Sequence, residues 1–157
     1  ESLKNYLDQR HPYTSLHLSN EERLAEVSQR RNSIERRLRN LIKNQLRAAY
    51  GKKIASDKVI SAIPEDRRKK LAGQDIESVL HVDRSPLMFL DLKQILLREW
   101  GIFQNIFDLE KERLQISLDD INKFRVDAHA KRIDDHEFQQ LRLHFSTLER
   151  ILDDWSI

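Results

Sequence analysis

Between Ser19 and Gly51 the chain runs for about eight turns of helix without a glycine or a proline, while Leu24, Val27, Ile34, Leu38, Leu41, Ile42 and Leu46 recur at helical spacing. That period predicts one long amphipathic helix, which must bury its stripe against other helices. Ser19 and Glu22 form a capping box at its start, and Gly51 supplies the stop. The whole chain has only three glycines and three prolines among 157 residues. Repeated hairpins are hard to build from so few turn formers, so an all-α fold is expected.

The other segments read the same way. Residues 1–10 predict a short helix ended by His11-Pro12, and the bundle proper is expected over residues 24–157, with 1–23 as a short helix and loop. Ser56 is expected to cap "DKVISAI", Pro64 to open "EDRRKKLA" and Gly73 to close it, giving two small helices. After Ser85-Pro86, the residues Leu92, Ile95, Leu96, Trp100, Phe103 and Phe107 keep helical period across Gly101, which predicts a core helix kinked at that glycine. A further helix is expected from about Asp108 to Ala130, with Leu114, Leu118, Ile121 and Ala128 inward. Asp134 and Glu137 then cap a last helix carrying Phe138, Leu141, Phe145, Leu148, Ile151 and Leu152. Four principal helices with additional short ones make a helical bundle.

Charged residues make up 34% of the chain, and no segment approaches the roughly 18 uninterrupted apolar residues of a membrane span. There is no cysteine, hence no disulfide or thiolate metal site, and no apolar signal segment opens the sequence. A cytoplasmic location is expected, as part of a longer protein, since the sequence does not begin with Met. Residues 1–72 hold 17 Lys and Arg against 9 Asp and Glu, and residues 73–157 hold 11 against 17. Within the basic half, Arg36, Arg39, Lys43 and Arg47 fall three and four apart and form a stripe. Such a stripe either tracks phosphates or meets the acidic half of its own bundle.

The stretch "NKFRVDAHAKRI" (122–133) carries the chemistry-bearing candidates. On a continuous helix Arg125 and His129 point the same way one turn apart, and Asn122 joins them. An imidazole passes protons near neutral pH, and a guanidinium grips two phosphate oxygens in a fixed fork. Together they suit phosphodiester cleavage without a metal, His handling the proton of a 2′-hydroxyl or leaving oxygen and Arg steadying the charged transition state. The ordinary alternative is a pair of cations at a helix C-terminus, favoured there by the dipole. A second Arg-x3-His pair, Arg132 and His136, straddles the following loop.

The succession "LRNLIKNQLRAAYG" (38–51), "LDLKQILLREWGIF" (90–103), "INKFRVDAHAKRI" (121–133) and "HEFQQL" (136–141) resembles the HEPN superfamily of small helical nucleotide-binding domains over about residues 24–152. The resemblance implies a HEPN-like bundle in which Arg125 and His129 occupy the family's Arg and His positions, with Asn122 and Asp127 in support. The spacing diverges: three residues separate Arg125 from His129, where the family has four to six. It further implies a metal-independent endoribonuclease of a bacterial defence or toxin system, acting as a homodimer that brings two copies of the motif into one cleft. The alternative implied by the same likeness is a non-catalytic module that dimerises or binds a partner within a larger defence or regulatory protein.

Other classes find little footing. The six histidines lack metal-ligand spacing, so no metal and no cofactor is expected. Three glycines cannot make a phosphate loop, and no strand-to-helix elbow exists for a nucleophilic serine. The segment "SDKVISAIPEDRRKKLAG" lacks the second amphipathic helix of a DNA reader.

Overall fold

A computed structural model of the protein describes residues 17–124 and 132–156. The short helix expected over residues 1–10, and Arg125, Asp127, Ala128 and His129, lie outside the described residues. The rest is all-α, with no strand among the described residues.

The long helix forms as the sequence requires. Helix α1 spans Asn20–Tyr50, 31 residues and so about 46 Å, with Val27, Ile34, Leu38, Leu41, Ile42 and Leu46 buried. It begins at the Ser19 cap that the sequence predicts. The Ser19 hydroxyl accepts from the Glu22 amide at 3.1 Å, and the Glu22 carboxylate accepts from the Ser19 amide at 3.1 Å. Gly51, at φ +79°, ends it by donating to the Arg47 carbonyl at 2.9 Å.

Three short helices follow: α2 (Lys52–Ser61), α3 (Glu65–Leu71) and α4 (Ile76–Val79). Pro64 precedes α3 as expected. Ser56, however, is no cap. Gly51 starts α2 as well as ending α1, which leaves Ser56 inside the helix, where its hydroxyl donates to the Lys52 carbonyl at 2.7 Å and accepts from the Ile76 amide at 2.9 Å. Ser56 thereby ties α2 to α4, a helix whose start is capped by Asp75 accepting from the Ser78 amide at 3.0 Å.

Helix α5 (Phe89–Arg98) and α6 (Trp100–Phe107) share the expected apolar face but break at Glu99, not at Gly101. Glu99 leaves helical geometry (φ −104°, ψ 33°), and its carboxylate, close to Tyr50, raises the Tyr50 pKa. Gly101 stays helical. Asp108, in the left-handed region at φ 48°, closes α6 by donating from its amide to the Gln104 carbonyl at 3.1 Å.

Helix α7 spans Lys111–Lys123 and buries Leu114, Ser117, Leu118 and Ile121. The helix expected to run on to Ala130 stops here. Phe124 is extended (φ −86°, ψ 102°), turned into the core, and its carbonyl is taken by Arg31 at 2.6 Å. Helix α8 (Asp135–Ser156) begins where Asp134 accepts from the Glu137 amide at 2.7 Å, a bond that holds the Asp134 carboxyl below its usual range. It buries Phe138, Leu141, Phe145, Leu148, Ile151 and Leu152, the stripe read from sequence.

Around the bundle α1 packs on α5 and α8, and α7 packs on the same two, closing a four-membered ring whose core is one continuous cluster. Helices α2–α4 cover the C-terminal part of α1. Across the α1–α8 seam the basic and acidic halves of the chain meet: Arg30 bonds Glu149 through two nitrogens (2.5 and 3.0 Å), Arg142 bonds Glu26 through two (2.6 and 2.7 Å), and Arg37 reaches Asp153 at 2.5 Å. Burial opposes ionisation of Glu26, but hydrogen bonds and charge from Arg142 and Arg30 outweigh it and lower its pKa.

Candidate functional site

Where α7 ends and α8 begins, the chain opens a cleft of about 270 Å³, lined by Asp120, Lys123 and Phe124 on one side and by His136, Gln140 and His144 on the other. Its floor is fixed by a chain of polar contacts. The His144 Nε2 lies 2.9 Å from a carboxylate oxygen of Asp120, and its Nδ1 lies 3.0 Å from the Ser117 hydroxyl. A neutral imidazole donates from Nε2 to the carboxylate and accepts the Ser117 proton at Nδ1. Ser117 is buried beneath it, so its hydroxyl helps to orient the ring. Lys123, exposed, stands 3.9 Å from Asp120.

Helix α1 bonds the main chain of Phe124 and of Ile133, described residues close to Arg125 and His129 in sequence. Arg31 donates to the Phe124 carbonyl. The Ile133 amide donates to the Asn20 side-chain oxygen at 2.9 Å, and Arg23 donates to the Ile133 carbonyl at 3.2 Å. Arg23 is itself buried, lies over the Phe138 ring and reaches Asp135 at 2.5 Å. Burying a guanidinium is costly unless it is paired and hydrogen-bonded. Here its partners include the Ile133 carbonyl and the Asp135 carboxylate.

Of the sequence candidates, Arg125, Asp127 and His129 lie outside the described residues. Asn122 is half-buried on the last turn of α7, two positions beyond Asp120 and hence on nearly the opposite side of the helix. The basic stripe is described in full and faces α4 and the loop after it. Arg36 reaches Asp83 at 3.1 Å, Lys43 reaches Glu77 at 3.7 Å, and Arg47 also pairs with Glu77. Arg39, its side chain 11% exposed, donates to the Val82 carbonyl at 3.0 Å and pairs with Glu35 at 3.4 Å. Arg36 and Arg47 keep the more open positions.

Sequence reasoning missed Asp120, Ser117 and His144. The only trace was local: Ser117 and Asp120 stand three apart on α7, on one face. Nothing marked His144, which arrives from α8. Among the described residues no group of three or more His, Asp and Glu is arranged to hold a metal ion, and no helix is long and apolar enough to cross a membrane. No known family, curated protein or solved structure matches this chain.

Proposed function

We propose that this chain is a HEPN-type, metal-independent endoribonuclease domain of a bacterial defence or toxin system, working in the cytoplasm as a homodimer. The observation that carries the reading is the cleft between α7 and α8, which holds His136 and His144 and beside which Arg31, Asn20 and Arg23 bond the main chain of Phe124 and Ile133. In the reaction His129 takes the proton of an RNA 2′-hydroxyl, the 2′-oxygen bonds the adjacent phosphorus, and the bond to the 5′-oxygen breaks. Arg125 grips the phosphate oxygens as charge develops. The leaving 5′-oxygen takes its proton from a second imidazole, which the two-fold-related copy supplies as its own His129.

A second reading is favoured by one observation: α7 ends at Lys123 and Phe124 is extended, short of the helix length that the sequence predicts. On that reading the chain is a non-catalytic HEPN-like module that dimerises or binds a partner. Incubation with tRNA and a single-stranded RNA in EDTA separates the two. Cleavage that is lost in folded Arg125→Ala and His129→Ala variants supports the nuclease, and intact RNA beside a folded wild-type dimer supports the binding module.

A further inference from the structure

A second concavity, of about 390 Å³, lies where the end of α2, helix α3 and helix α5 come together. Its apolar floor is unusual for a surface so rich in charge. Met88 is 59% and Leu90 44% exposed, two of the five large apolar side chains left open to solvent among the described residues. Arg68 and Arg98 stand at its rim, both exposed. Each is held by the main chain: Arg68 donates to the carbonyls of Ile63 (2.6 Å) and Ser61 (3.0 Å), and Arg98 donates to that of Ser61 (2.8 Å). Among the described residues neither guanidinium has a carboxylate within ion-pair distance, whereas neighbouring Arg67 is matched by the buried Asp91. The groove therefore keeps two oriented cations with unspent N–H donors, which fit carboxylates, around apolar side chains that fit hydrocarbon.

We propose that this groove docks an acidic, apolar peptide segment of a partner protein, its carboxylates meeting Arg68 and Arg98 and its apolar side chains covering Met88 and Leu90. Charge complementarity selects the acidic character, since Asp91 is the one acid in the lining and is already spent on Arg67. The floor selects a peptide over a nucleic acid: no Phe, Tyr, Trp or His lines the groove, so bases have no platform on which to stack. An exposed methionine adapts to varied apolar partners, as docking surfaces for peptides require. The inference stands apart from the nuclease reading, because none of these residues belongs to the cleft at α7 and α8.

The test is fluorescence anisotropy with the full 157-residue chain and four labelled probes: a short peptide of Leu and Phe interleaved with Asp and Glu, its Lys-for-acid version, its Ser-for-apolar version, and a short oligouridine. The acidic apolar peptide is expected to bind about tenfold or more tighter than either control peptide, a gap of about 1.4 kcal/mol. Arg98→Glu and Leu90→Ser, both at exposed positions and checked for unchanged helicity, are each expected to weaken it several-fold. No binding of the acidic peptide, equal binding of the Lys version, or binding unaffected by both variants overturns the proposal. Preference for oligouridine lost in the same variants overturns it in favour of a nucleic-acid surface.

Discussion

Replacing Arg23 by methionine removes the guanidinium that holds the Ile133 carbonyl ahead of α8 while keeping most of its apolar stem. Arg23 is 6% exposed, and the Ile133 carbonyl it serves belongs to a residue that is 1% exposed, so water does not readily take its place. Losing a charge-assisted hydrogen bond to a buried acceptor costs about 1.5–3 kcal/mol. The ion pair with Asp135, which is largely exposed, adds at most about 1 kcal/mol, and the contact over Phe138 adds about 0.5–1 kcal/mol. These terms share one side chain and do not sum fully, so a net loss of about 2–3 kcal/mol is expected. With a urea slope of about 1.5–2 kcal/mol/M, the midpoint falls by roughly 1–2 M. Arg84→Met, at an exposed site whose side chain among the described residues bonds His81 alone, is the control and stays within about 0.5 kcal/mol. If Arg23→Met behaves like this control, the anchoring argument is refuted.

Phe145→Ala opens a void in the seam of the bundle, where Phe145 is fully buried. It is expected to cost about 3–5 kcal/mol, read as a large fall in Tm. Two glycines make opposite predictions: Gly51→Ala, at φ +79°, is expected to destabilise by about 1 kcal/mol despite open space around it, whereas helical Gly101→Ala, equally uncrowded, stabilises by up to about 1 kcal/mol. Glu26 has a lowered folded-state pKa, so its contribution is fully present above the ordinary value of 4.5 and is lost as pH falls through the lower folded value. Urea midpoints of Glu26→Gln measured between pH 7 and pH 3 are therefore expected to fall less steeply with acid than those of the wild type, and parallel slopes contradict that.

The long elements were legible because their signal is local. The stripes of α1 and α8 and their caps at Ser19 and Asp134 need only residues a few positions apart, and all stand where the sequence puts them. The misreadings share the opposite character. Ser56 looks like a cap until Gly51 is seen to serve two helices, and no residue type marks Glu99 as the break between α5 and α6. The end of α7 is written in no motif: Phe124 turns inward and its carbonyl is met by Arg31 of another helix. The candidate site divides likewise. Spacing could nominate Arg125 and His129, but it could not bring His144 to Asp120. Nor could it show Asn20, Arg23 and Arg31 holding backbone groups, since a carbonyl partner leaves no mark on residue type. The basic stripe was visible as a pattern, but its engagement with Glu77, Asp83 and the Val82 carbonyl was not.

The measurement closest to the central claim is the single-turnover rate at which the wild type and His129→Ala cleave one RNA in EDTA, with product ends analysed. The account predicts cleavage by the wild type leaving 2′,3′-cyclic phosphate, and a rate about 10²–10⁴-fold lower without the imidazole. Equal rates in the two proteins, or a wild type that is folded and dimeric yet leaves the RNA whole, would contradict it.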